Sequence, residues 1–179
     1  MLGFALFDTP LGAAAVVWRE DVIVGVELPH ADPARTQARV LRYHPDAVES
    51  TPPPPVAKAV RRMAGLLQGM RDDLSDIEVD LSGLPPFQRQ VYEFVRTIPP
   101  GDAMTYGQVA EAVGAPGGAQ AVGQAMGHNP VPIVVPCHRV VAAGGRLGGF
   151  SAPGGATTKR RMLTIEGADL PDTQPALFD

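Results

Sequence analysis

Apolar and polar positions alternate in short runs over the first thirty residues. Leu2 to Phe7 and Gly12 to Trp18 are apolar stretches parted by Asp8-Thr9-Pro10, a turn signal. A second turn at Arg19-Glu20-Asp21 leads into Val22 to Leu28, so the opening predicts an antiparallel meander. Asp32-Pro33 supplies an N-cap and a first-turn proline for a helix to about Tyr43. Thr51-Pro52-Pro53-Pro54-Pro55 predicts a stiff connector at 51–55, followed by a helix over Val56 to Leu67 and a strand over Ile77 to Leu81. After Pro85-Pro86 the apolar period lengthens. Phe87, Val91, Phe94, Val95 and Ile98 predict a helix over Phe87 to Thr97, ended by Pro99-Pro100-Gly101-Asp102. Thr105 caps a second helix over Tyr106 to Val113, Gly114 to Gly118 form a tight turn, and a third helix runs over Ala119 to Gly127. Two short helices about a glycine turn predict a helix-turn-helix. Val131 to Val135 reads as a buried strand that Pro136 stops.

The fold class is therefore α/β in the broad sense (α+β). A small sheet-plus-helix supporting domain is expected over 1–84, a mostly helical domain over 85–170 and a loose tail over 171–179. A hydrophobic fraction of 45% and a charged fraction of 19% are those of a globular protein. No apolar run has membrane-spanning length, and residues 1–9 lack a basic region followed by an apolar one, so a cytoplasmic protein without membrane contact is expected. The single cysteine excludes an internal disulfide and any zinc site built on several cysteines. His30, His44, His128 and His138 show no metal-ligand spacing, so no metal is expected.

The net charge of −4 argues at first against nucleic acid. Its distribution changes that: residues 1–84 carry 8 Lys+Arg against 12 Asp+Glu, whereas residues 85–170 carry 7 against 5. The second half permits DNA binding without itself indicating it. The third helix has Val122 and Met126 on one side and Ala119, Gln120, Gly123, Gln124 and Gly127 on the other. Glycine inside a helix costs about 1 kcal/mol, so two want a reason. Close approach of another helix is one, and close approach of a nucleic-acid backbone is the other; spacing alone favours the first.

The chemistry centres on Cys137, beside His138 where the chain leaves the core. An inert buried thiol and a nucleophile with an adjacent imidazole base are both open on this adjacency alone.

Several blocks taken together resemble the O6-alkylguanine-DNA alkyltransferases, or methylated-DNA–protein-cysteine methyltransferases. They are Thr105-Tyr106-Gly107-Gln108-Val109-Ala110, Ala121-Val122-Gly123, Gly127-His128-Asn129-Pro130 with Val131-Pro132-Ile133, and Pro136-Cys137-His138-Arg139-Val140-Val141. Gly148-Gly149-Phe150-Ser151 and Lys159 to Glu166 extend the likeness, which is close over about 85–168; Phe4 to Gly12 resembles the family's more variable N-terminal domain. The resemblance implies direct-reversal DNA repair on double-stranded DNA. A helix-turn-helix enters the minor groove, and an alkylated guanine is flipped beside the cysteine. The thiolate takes the alkyl group as a stable thioether, one event per molecule, with no cofactor; O4-alkylthymine is a further candidate substrate. It implies that His138 takes the Cys137 proton through a water and that Glu166 orients and charge-stabilises His138. Asn129 would hold the hinge between reading helix and active-site strand, and Tyr106 would meet the flipped base. Ala119, Gln120 and Gly123 fall on the DNA-reading helix; Val140, Phe150 and Ser151 fall on the base pocket. Arg139 reads as a structural ion-pair partner.

Two positions depart from the family's pattern. Gln120 stands where an arginine usually fills the space of the flipped base, which removes a charge and a planar stacking surface. Phe150 stands where many relatives have tyrosine. The stretch Gln174-Pro175-Ala176-Leu177-Phe178 resembles peptides that bind the bacterial sliding clamp, against the plainer reading of a loose tail. A monomer is expected. The competing functions are a non-catalytic alkylguanine-binding module that recruits other repair factors, which the presence of Cys137 opposes, and a turnover Cys-His hydrolase, which only the dyad supports.

Overall fold

The computed structural model describes residues 1–144 and 146–169. The opening meander forms as the alternation predicts: β1 (Leu2–Thr9) and β2 (Gly12–Arg19) pair antiparallel from Leu2 opposite Arg19 to Thr9 opposite Gly12. β3 (Val22–Glu27) continues antiparallel on β2, with a register shift between Val17 and Trp18. A two-residue strand, β4 (Val48–Glu49), adds parallel to β1, giving the order β3-β2-β1-β4.

Both faces of this sheet are covered, which is why β2 is buried continuously instead of on alternate residues. Phe4, Ala15 and Val17 pack with Val40 of α1 (Pro33–Tyr43). Val16, Trp18 and Ile23 join Val56, Met63 and Leu66 of α2 (Pro54–Leu67). The Asp32 side chain caps α1 by accepting the Arg35 N–H at 2.8 Å. α2 starts two residues earlier than the sequence suggests, with Pro54 and Pro55 inside its first turn. A proline there loses only an N–H that has no helical partner.

The strand expected over 77–81 shrinks to one bridge, Val79 to Ile23, held by Ile23 N–H to Glu78 O at 3.3 Å and Asp80 N–H to Ile23 O at 2.9 Å. The Asp80 carboxylate then accepts the Ser82 N–H at 3.0 Å and turns the chain away.

In the second half, α3 (Pro86–Val95), α4 (Tyr106–Ala112) and α5 (Ala119–Gly127) pack on one another around Val91, Val95, Val109, Ala110 and Val122. Thr105 and Gln108 form a reciprocal capping box at the start of α4, with bonds of 3.1 and 2.9 Å. α4 and α5 are the expected helix-turn-helix pair. Tyr92 is fully buried and donates to Ala125 O at 2.6 Å, tying α3 to the end of α5. α6 (Gly155–Ile165) closes the described chain. One hydrophobic cluster runs from Val16 and Ile23 of the sheet to Val131, Val135 and Val140, and Val26 N–H reaches Pro130 O at 2.9 Å. No helix among the described residues is long and apolar enough to cross a membrane.

The expected strand over 131–135 is not a strand. Val135 N–H turns back to Val131 O at 2.9 Å, and Ile133 adopts φ +76°, a strained conformation for a β-branched residue. The apolar run marked burial correctly, but Pro132 has no N–H to give a ladder, and the segment is buried as a turn.

Candidate active site

Asn129 holds that turn at both ends. Its Oδ1 accepts the Val131 N–H at 2.9 Å and its Nδ2 donates to Val135 O at 2.8 Å. Asn129, expected to hold a hinge into a strand, is thus a double clamp across a turn. Beyond Pro136 the chain makes a single 3-10 turn, Cys137–Arg139, and enters β6 (Val140–Val141), which pairs parallel with β5 (Met104–Thr105) just before α4. The thiol therefore sits between the turn clamped by Asn129 and this short pairing, at 5% exposure.

His138 and Arg139 are each 1% exposed and share one partner, Glu166, at the C-cap of α6. His138 Nε2 bonds the Glu166 carboxylate, and Arg139 donates to it through Nε at 3.0 Å and through a terminal nitrogen at 2.9 Å. The other Arg139 terminal nitrogen donates to Ile98 O at 2.7 Å. The Glu166 side chain is 3% exposed, so it is a buried anion held by the Arg139 guanidinium and the His138 ring and not a solvated helix end. Burial alone would raise its carboxyl, but His138 and Arg139 outweigh this and hold it below the usual range. Burial pushes His138 down, against the opposing pull of Glu166, so the imidazole is neutral near pH 7. A neutral imidazole that donates from Nε2 to a carboxylate keeps a lone pair on Nδ1. That Nδ1 is buried and has no protein partner among the described residues. Burial also raises the Cys137 thiol, while a bond from Asn129 and the charge of Lys159 act the other way. The resting pair is thus a protonated thiol beside a neutral base.

Lys159 was not singled out from the sequence. It is 1% exposed on α6, and its Nζ donates to the Tyr106 hydroxyl at 3.2 Å and to Gly149 O at 3.4 Å. Burial lowers it to about 8, against the pull that a Cys137 thiolate exerts, so at neutral pH it is mostly a cation. A signal was present: Lys159, Met162, Leu163 and Glu166 recur at helical spacing on one face, so the apolar side of α6 carries both charges inward.

The remaining expected residues divide by place. Tyr106 is half-buried and lies against the 148–149 backbone; a Cβ on Gly148, whose φ is +76°, would meet the Tyr106 hydroxyl at 2.8 Å. Phe150 and Ser151 line one crevice with Cys137, and the Ser151 hydroxyl donates to Gly127 O at 3.0 Å. Val140 is fully buried in β6, a packing position beneath the site and outside that crevice. Ala119, Gln120 and Gly123 lie on α5 away from the thiol, with Gln120 exposed. The helix-packing explanation for the glycines fails. A Cβ on Gly123 would meet only the Tyr106 ring, at 3.9 Å, and one on Gly127 would meet nothing within 4 Å. The tail residues Gln174 to Phe178 lie outside the described residues.

Known proteins resemble this chain over its whole length. Residues 86–168 match the family described as "6-O-methylguanine DNA methyltransferase, DNA binding domain". The chain is 38% identical over 182 residues to the methylated-DNA–protein-cysteine methyltransferase of Mycolicibacterium paratuberculosis, covering 100% of both. The crystal structure of Mycobacterium tuberculosis OGT in complex with DNA superposes with a TM-score of 0.75 at 33% identity, over 92% of each chain. The O6-methylguanine-DNA methyltransferase of Pyrococcus kodakaraensis KOD1 superposes at 0.71 with 27% identity, over 94% of this chain and 100% of that one.

Proposed function

The chain belongs to the methylated-DNA–protein-cysteine methyltransferase family, and we propose that it repairs DNA by moving the alkyl group of O6-alkylguanine onto Cys137, once per molecule. The observation that carries the reading is the buried thiol beside a neutral His138 whose Nε2 is committed to Glu166 and whose Nδ1 is open. In the reaction the Cys137 proton passes to His138 through a bridging water. The sulfur then attacks the alkyl carbon, the C–S bond forms, and the carbon–O6 bond breaks. Its electron pair goes to guanine, which takes up a proton and leaves. Glu166 stabilises the imidazolium that forms, and Arg139 keeps Glu166 ionised and in place. Lys159 stabilises the thiolate and holds Tyr106 where it meets the base.

A buried thiol reaches its substrate only if the base leaves the helix, so the reading includes extrusion of the guanine. The open small-residue face of α5, at Ala119, Gly123 and Gly127, suits close approach to a groove wall, and Gln120 takes the volume of the extruded base. The residues up to 84 act as the supporting domain. A thioether is not a leaving group under these conditions, which makes the transfer final. Binding without chemistry would leave the buried thiol and its base without a purpose.

The test is incubation with a duplex bearing O6-methylguanine, followed by peptide mass analysis. One methyl group on the Cys137 peptide per molecule is expected, and none for Cys137→Ser, which should still bind the duplex. Tight binding with an unmodified thiol in the unaltered protein would overturn the assignment.

A further inference from the structure

In a displacement at carbon, the incoming sulfur and departing oxygen lie on one line, so the rest of the alkyl group must project sideways. A methyl group needs no such room, whereas a larger adduct does. A crevice of about 380 Å³ reaches Cys137 past Pro132 and Phe150 and extends to Arg39, Tyr43 and His44 of α1, between the sheet and the active-site turn. Tyr106 and Val140 do not line it, so it is a separate approach to the thiol from the Tyr106 side. Its far wall holds a cation with spare hydrogen-bonding capacity. Arg39 lies over the Tyr43 ring at 4.8 Å, and its Nε is buried with no hydrogen-bond partner among the described residues. The nearest anion, Glu27, is 3.6 Å from that nitrogen, beyond hydrogen-bond range, and is engaged by His30 at 2.9 Å. A buried donor without an acceptor is a defect that a ligand can relieve. Glu27 makes the same wall unfavourable to an anionic end, so a neutral acceptor such as a carbonyl is the group that fits.

Resting on the alkyl-transfer reading, we infer that Arg39, on the far wall of this crevice, selects among O6-alkyl groups long enough to reach it those that end in a neutral hydrogen-bond acceptor. Arg39 is here a specificity-determining residue and leaves methyl transfer alone. The transfer itself is unchanged: the benzylic carbon bonds to sulfur, the bond to O6 breaks, and protonated guanine departs.

The test uses three duplexes, carrying O6-methylguanine, O6-(4-acetylbenzyl)guanine and O6-(4-isopropylbenzyl)guanine. The last two have similar shape and differ in the acceptor. Transfer rates are compared for the unaltered protein, Arg39→Met and Arg39→Lys; comparing the acetyl-to-isopropyl ratio between proteins cancels the intrinsic difference in reactivity. Removing Arg39 should lower that ratio by about ten-fold or more, the worth of one hydrogen bond to a charged donor, with the methyl rate unchanged. Arg39→Lys, which keeps stem and charge, should fall between, and it carries the test if the methionine variant fails to fold. An unchanged ratio overturns the inference, as does equal slowing of all three substrates, the mark of a phosphate contact or a structural role. Failure of the unaltered protein to remove even methyl would instead sink the alkyl-transfer reading itself.

Discussion

At Cys137 the neighbouring groups decide what the sulfur can do. A buried thiol is inert unless a base with a free lone pair is at hand, and His138 is kept neutral by burial and held in one tautomer by Glu166. The pH dependence follows from the sign of that shift. A group depressed in the folded protein contributes stability that is present above its ordinary value, here 6.5, and is lost as pH falls through the lower folded value. The transfer rate should therefore hold down to pH 6.5 and decline only below it, with the melting temperature falling over the same range. Rate and melting profiles from pH 8 to 5 check this, and an acid limb above 6.5 would contradict it. Asn129 is the second residue on which the site hangs. Asn129→Ala leaves the Val131 N–H without its partner and removes one of the two donors to Val135 C=O, the other being the Cys137 N–H, and should cost about 1–3 kcal/mol in denaturant unfolding. Asn129→Asp, which keeps the acceptor, should cost less. The adjacency of Cys137 and His138 was legible in the sequence. The burial of Glu166 was not, because its anion is stabilised by a residue 27 positions away.

Among the elements, α5 combines poor intrinsic stability with an open face. Gly118, at its N-cap, offers no side-chain cap, and a Cβ there would come within 2.8 Å of Ala115 O, so the turn keeps its glycine at the helix's expense. Gly123 has no such constraint, since a methyl group would rest at 3.9 Å from the Tyr106 ring. Gly123→Ala should raise unfolding stability by up to about 1 kcal/mol. If α5 lies against a DNA groove, the same change should weaken duplex binding several-fold. Equal binding in a gel-shift or anisotropy titration would remove the reading of that face. Helical periodicity placed α3, α4 and α5 well, since each buries one stripe. It failed at 131–135, where a run of apolar residues encodes burial but not the conformation in which they are buried.

At the scale of the whole molecule, the half that carries the helix-turn-helix has few cations free to meet a phosphate backbone. Of the 7 Lys+Arg in residues 85–170, Arg139 and Lys159 are buried, and Arg96 donates to Leu74, Ser75 and Ile77 carbonyls. Duplex affinity should accordingly depend only moderately on salt, with a log–log slope of about −4 or shallower for the few phosphates these side chains neutralise. Gln120→Arg should tighten binding and steepen the slope by about one unit; an unchanged slope would mean that position 120 does not reach the DNA.

The sequence by itself determined that the segments of α1 to α5 are helical, where the glycine turn falls, and that the lone thiol has an imidazole beside it. These depend on near neighbours in the chain: caps, periodicity and turn residues. Only the tertiary structure decided that Glu166, Arg139 and His138 form one buried charge group, that Lys159 turns inward to Tyr106, and that a crevice joins Arg39 to the thiol. Those arrangements depend on desolvation and on contacts between residues far apart in the chain, and a side chain's charge state in such a place is set by what surrounds it.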